Sequence, residues 1–286
     1  MRKWLFLLVI GTLAAAAYGE DATIIPEHHV RLSQTQNAGV TDDEVLLSWG
    51  AGAEYAPSHW LNMQLLWDPY LKFQPDIRGG SLFLGAKGYI LGDGALVDNT
   101  QWLRLSAALG MFVPPHDKQP DLRDQDQNLW GSSLRLYSDF ILSRYFFINL
   151  YFEGNFYPPQ RNSSNDVFYG DWVRHYLDLT GELELHLVIP LNNGVVLKGG
   201  APVRFFYAPW MNAADKYADS QYLLSAGAYF SVVLPHYRPP AEFCLRYNVH
   251  ILGQNIREVH RISLITKVTL PPELLTLRLK TARNEE

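Results

Sequence analysis

The 286-residue chain carries 29 acidic against 24 basic side chains, and the resulting net charge of −5 argues against nucleic acid as a partner. Its single cysteine, Cys244, excludes an intramolecular disulfide; with no His or Asp partner placed by spacing, it reads as a small buried or inward-facing filler. Aromatic residues make up 13% of the chain, and Tyr and Trp suit lipid–water boundaries.

The chain opens with Arg2 and Lys3, an apolar run from Trp4 to Ala17, and the small-residue end Ala17-Tyr18-Gly19 before Glu20 and Asp21. This pattern reads as a secretory signal peptide over residues 1–19, cleaved after Gly19. The apolar run of about 14 residues is short for a membrane-spanning helix. No cysteine near the cleavage point offers a lipid anchor, and an exported chain without disulfides suits a Gram-negative-type envelope. Residues 20–286 then form a single domain, within which residues 20–44 read as either an extension or a first strand. The neighbours His28 and His29 would point to opposite faces of an extended chain, so no metal site is expected there.

From Val45 onward the pattern is period two. Val45 to Tyr55 sets Val45, Leu47, Trp49, Ala51, Ala53 and Tyr55 against Ser48, Gly50, Gly52 and Glu54. Trp60 to Trp67 is shorter and less regular, and Gly80 to Leu91 alternates Leu82, Leu84, Ala86 and Ile90 with a mixed face holding Lys87 and Tyr89. Trp102 to Val113 opposes five large apolar residues to Arg104, Ser106 and Gly110, and Trp130 to Phe140 opposes Leu134, Leu136 and Phe140 to Arg135, Tyr137 and Asp139. Tyr145 to Phe156 is the cleanest, with Phe146, Ile148, Leu150, Phe152 and Phe156 on one face and Asn149, Tyr151, Glu153 and Asn155 on the other. His175 to Val188 places Leu177, Leu179, Leu183, Leu185 and Leu187 opposite Asp178, Thr180, Glu182, Glu184 and His186, which a helix would smear around its surface.

Val195 to Tyr207 holds Lys198 and Arg204 but contains Gly199, Gly200 and Pro202, and so reads as a bulged or poor strand. Gln221 to Val233, the row Phe243, Leu245, Tyr247, Val249 and Ile251, then Val259 to Leu270 and Leu274 to Lys280 complete twelve candidates. The spacing fits membrane strands of about 9–11 residues joined by turns. We therefore expect an all-β fold, a closed antiparallel transmembrane β-barrel of about twelve strands, with ten or fourteen as alternatives, in the outer membrane of a bacterial cell. A soluble exported barrel or sandwich binding a small ligand is the competing architecture.

Long polar links follow the second, fourth, sixth and eighth candidates. Because external loops are long and periplasmic turns short, a strand starting at Val45 would run the wrong way. Either a short strand within Ile24 to Gln36, displacing Leu274 to Lys280, or a miscount among the early candidates restores the parity, and the long link that follows Tyr145 to Phe156 makes that strand rise toward the cell surface.

The polar rows define the expected lumen: Arg104, Arg135, Asp139, Glu153, Asp178, Glu182, Glu184, Glu242, Arg246, Arg261 and Lys267. These mixed charges would either set up a transverse field across a water-filled pore or pair and fill a narrow one. Glu182 and Glu184 stand about 7 Å apart on one strand face, but no sugar cleft, Ser-His-acid motif, HExxH, phosphate loop or CxxC pair accompanies them. No catalytic residue, metal or cofactor is expected.

Through rows such as Leu177, Leu179, Leu183, Leu185 and Leu187, the chain resembles bacterial outer-membrane β-barrel (porin-like) proteins in general. The resemblance implies a monomer or loose oligomer held in outer-membrane lipid, passing small polar or amphipathic solutes by diffusion. It leaves as alternative a closed structural or adhesin-like barrel whose long surface loops bind a partner. A membrane phospholipase of similar size uses His-x-Ser; here His260-Arg261-Ile262-Ser263 has one residue too many, so a barrel-embedded lipid hydrolase is not implied. The chain ends Ala282-Arg283-Asn284-Glu285-Glu286 instead of in an aromatic assembly signal, which permits a periplasmic tail.

Overall fold

The computed structural model describes residues 22–40, 45–67, 70–71, 77–78, 82–92, 102–113, 131–156, 172–174, 177–212, 218–254 and 260–274. The signal-peptide reading of residues 1–19 lies outside them.

Alternating apolar and polar residues give each extended segment two unlike faces, and closing the sheet on itself satisfies every strand edge. The wall strands are β1 (Val30–Val40), β2 (Val45–Ser58), β3 (Leu61–Trp67), β4 (Leu82–Leu91), β5 (Leu103–Val113) and β6 (Gly131–Ile141). They continue as β7 (Phe146–Phe156), β8 (Leu177–Pro190), β9 (Val196–Asn212), β10 (Ala218–Leu234), β11 (Ala241–Gln254) and β12 (His260–Leu270). Each pairs antiparallel with its sequence neighbours, and β1 pairs with both β2 and β12, closing a twelve-stranded ring. Short ladders at Tyr70–Leu71, Ile77–Arg78 and Trp172–Arg174 prolong the wall at one end.

The outward rows are apolar and exposed: Leu109, Met111, Leu150, Phe152, Leu183, Leu185, Phe243 and Leu245 all face away from the lumen. Leaving such a belt in water would be costly, whereas bilayer hydrocarbon covers it. Among the described residues no helix is long and apolar enough to cross a membrane; the exposed apolar belt lies on the strands. Tyr55, Trp60, Trp102, Tyr145 and Tyr237 ring one end of the belt as exposed aromatics. At the other end Trp49 and Trp67 pack edge to face with centroids 5.9 Å apart, in keeping with aromatic girdles at both interfaces.

The short turns between β2 and β3, β6 and β7, and β8 and β9 lie at the end where β1 begins and β12 finishes, and the wall strands flanking the longer stretches 68–81, 114–130 and 157–176 have their facing ends on the opposite side. The former is the periplasmic end by the loop-length rule. Strand β7 accordingly rises toward the surface, as loop parity required.

Two expectations need correction. The first strand is Val30–Val40, and it was hard to read because both of its faces are polar: Arg31, Ser33, Thr35 and Asn37 point inward, while Gln34 and Gln36 share the outward row with Val30, Leu32 and Val40. At the other terminus the chain leaves β12 for one helical turn at 272–274, and the remainder of the Leu274 to Lys280 candidate lies outside the described residues. The count of twelve therefore stands with one member exchanged. The segment expected to be bulged or poor, Val195 to Tyr207, instead belongs to the 17-residue strand β9, whose register to β10 is the same before and after Pro202. Only the pairings of Ala201 and Pro202 to β10 are missing, as a residue without an N–H dictates.

Candidate functional site: a lumen with two unlike walls

Ladder register fixes which side chains meet inside. Arg104 stands opposite Asp139, Arg135 opposite Glu153, and Glu182 opposite both Tyr151 and Arg204. Glu242 stands opposite Lys267, Arg246 opposite Ser263 and Tyr229, and Arg261 opposite Asn248. Every expected lumen residue whose side chain is described therefore belongs to the inner row; Asp178 pairs with Asn155 in the ladder, and its side chain lies outside the described set.

The charges mostly pair between neighbouring strands. Arg104 Nε lies 3.7 Å from Asp139 Oδ2, and Arg135 Nη2 lies 3.2 Å from Glu153 Oε1. Tyr151 donates its hydroxyl hydrogen bond to the other oxygen of Glu153, and Asn149 Nδ2 donates to Asp139 Oδ1 at 2.8 Å. Between strands two or three apart on one side of the ring, Arg246 donates to Glu182 and sits 3.7 Å from Glu184, while Lys198 Nζ lies 3.3 Å from Glu242 Oε1, which also accepts from Ser231 Oγ at 2.8 Å. His186 hydrogen-bonds Tyr229, lies 3.4 Å from Glu184 and stacks on Phe147 with centroids 4.3 Å apart. Pairing of this kind favours the filling account of the inner charges over a simple transverse field.

Along β2 to β7 the inner side chains are buried: Glu54, Asn62, Gln64, Phe83, Lys87, Arg104, Arg135, Tyr137, Asp139, Asn149, Tyr151 and Glu153. Aromatic rings lie flat on this wall. Phe83 covers Gly85 and Gly110, where any Cβ would collide with the ring, and Arg135 stacks on the far face of Phe83 at 3.8 Å from its centroid. Lys87 sits 4.1 Å over the Tyr137 ring.

The remaining space on that side is taken by the chain itself. Residues 22–25 run inside the barrel and are buried. The Ala22 amide donates to Asp139 Oδ2 at 3.2 Å, Lys87 Nζ donates to the Thr23 carbonyl at 3.0 Å, and the Ile24 amide donates to the Tyr89 hydroxyl at 2.8 Å. At the periplasmic rim His28 adopts a left-handed φ of 60° and its amide donates to the Ala56 carbonyl at 2.7 Å, turning the chain from the lumen into β1. This segment is an internal strap pinned to the β2 to β7 wall.

Along β9 to β12 the inner residues Lys198, Arg204, Tyr229, Glu242, Arg246, Asn248, His250, Arg261 and Lys267 are partly exposed. They face inward and border space inside the ring of strands. Sequence reasoning missed Arg31, Glu54, Lys87, Lys198 and Arg204 as lumen candidates, along with the strap. Arg204 was legible in one respect, as it shares the alternate positions of Lys198 and Pro202, but the glycines and proline around it disguised the strand.

No protein-family model matches the sequence, and no curated protein matches it. Solved structures do match the fold. An outer-membrane channel from Pseudomonas putida F1 aligns with a TM-score of 0.61 at 12% identity, over 89% of this chain and all of that one. The β domain of the Bordetella autotransporter BrkA aligns with a TM-score of 0.46 at 12% identity, over 85% of this chain and 99% of that one. A loop-deletion form of OmpT, an outer-membrane protein of Vibrio cholerae, gives 0.36 at 10% identity, over 85% of this chain and all of that one. The architecture is that of the bacterial outer-membrane β-barrels.

Proposed function

We propose that this protein is an outer-membrane channel through which small solutes cross by passive diffusion, with no covalent step. The observation that carries the reading is the partly exposed inner row along β9 to β12: a barrel filled throughout would bury it as it buries the row along β2 to β7. The fold likeness to a channel from Pseudomonas putida F1 supports the same reading. Selection is by size, since the strap and the packed wall leave a passage narrower than the ring of strands, and by the mixed charges lining it.

Planar bilayer recording of the folded protein tests this. Repeated discrete current steps are expected; a lasting electrical seal over bilayers that contain folded barrel would sink the reading in favour of a closed barrel acting through its surface loops.

A further inference from the structure

We propose, resting on the channel reading above, that the open path is anion-preferring and that its solutes are small oxyanions, carboxylate or phosphate, passing over Arg204.

On the β8 to β12 side, the described inner charges are Lys198, Arg204, Arg246, Arg261 and Lys267 against Glu182, Glu184 and Glu242. Among these described side chains the cations outnumber the acids, and at mid-height the two signs are also set at different depths. The Arg204 side chain is 40% exposed and Arg246 12%, whereas Glu182, which lies beside both, is 0% exposed and Glu184 6%. The acids of the middle tier are thus in the wall behind the guanidinium groups, and what a passing solute meets is positive. A charge held in front of its counter-ion dominates the near field, since Coulomb energy falls with distance and water screens the farther group more.

The cations are also distributed along the axis. Arg261 lies at the external half of β12, Arg204 and Arg246 near mid-height, and Lys267 and Lys198 toward the periplasmic ends of their strands. Such a series lets an anion be handed from one weak site to the next, the condition for conduction without trapping. Glu242, 3.3 Å from Lys198, moderates the lower tier. Guanidinium forks match the paired oxygens of carboxylates and phosphates better than they match spherical ions, and the 40% exposed Arg204 presents such a fork at the level where Arg246 covers Glu182.

On the opposite wall the cations lie flat and buried against acids and rings, Arg104 on Asp139, Arg135 on Glu153 and Phe83, Lys87 on Tyr137. They contribute little to the field in the open path.

The test is the reversal potential of the full mature protein in planar bilayers under a KCl gradient. Chloride preference is expected, with the chloride-to-potassium permeability ratio falling about tenfold in Arg204→Glu and less in Arg204→Gln. Arg246 remains on Glu182 in both variants, so neither leaves that acid stripped of its cation, and the gel shift on heating checks that the barrels are closed. Potassium preference in the wild type, or a ratio unchanged in folded Arg204→Glu, would overturn the anion assignment while leaving the channel intact. A sealed bilayer would instead remove the channel reading, and this one with it. Replacing chloride by acetate or phosphate then tells the two oxyanions apart; if neither carries current through an anion-preferring pore, the oxyanion assignment fails.

Discussion

Glu54 accepts hydrogen bonds from Arg31 Nη2 on both carboxylate oxygens, at 2.9 and 2.8 Å, and a third from Asn62 Nδ2 at 3.0 Å. This knot ties β1 to β2 and β3 beside the periplasmic rim, where the barrel must close on a first strand with little apolar character. Substituting Glu54→Gln keeps the shape but removes the charge, and about 2 kcal/mol of stability should be lost, read as a lower urea midpoint for the barrel in lipid. A midpoint unmoved by the change would mean that Arg31 and Asn62 find equivalent partners. At this scale the sequence exposed the inward residues by parity alone. It could not say which were in front, because exposure inside a barrel depends on what occupies the rest of the lumen. Arg104 and Arg246 are alike as members of alternating rows, yet one is buried in a packed wall and the other borders water.

Among the elements, the glycines of the inner rows shape the packed wall. A Cβ on Gly110 would meet the Phe83 ring and come within 2.7 Å of the Leu84 carbonyl oxygen, whereas one on Gly181, in the outward row beside Phe152 and Phe205, would meet nothing within 4 Å. Gly110→Ala is expected to cost about 1–3 kcal/mol and Gly181→Ala less than about 0.5 kcal/mol, compared by denaturation of the two folded variants. Equal costs would show that the Phe83 niche can relax. Gly200 does the same on the other side, where a Cβ would strike the Tyr229 ring. This explains why β9 was misjudged from sequence: Gly199, Gly200 and Pro202 look like breakers, but at Gly200 the missing side chain makes room for an aromatic ring from β10. Strands with one apolar row, such as β7 and β8, were legible at once. The first strand was not, since Gln34 and Gln36 interrupt its lipid face and Arg31 through Asn37 give no contrast with it.

For the whole molecule, the closed ring follows from alternation plus the need to satisfy strand edges in lipid, and both were available from sequence. The strap was not, because residues 22–25, Ala-Thr-Ile-Ile, carry no polar side chain except Thr23 and are held by their backbone groups. Deleting residues 22–25 should about double the single-channel conductance, as a pore widens when a segment lining it leaves. The deletion also removes partners of Asp139 and Lys87, so folded protein is to be selected by its gel shift before recording. Conductance equal to that of the intact protein would show that the strap lies clear of the current path.

The turn at His28 places residues 22–25 on the inside of the ring. The seam between β1 and β12 thus encloses a stretch of the same chain, and the position of the strap and the closure of the wall share one turn. For the same reason a tag or reporter joined directly ahead of residue 22 would be directed into the cavity instead of hanging from the rim, whereas the chain beyond Leu270 leaves the wall on the periplasmic side, away from that seal.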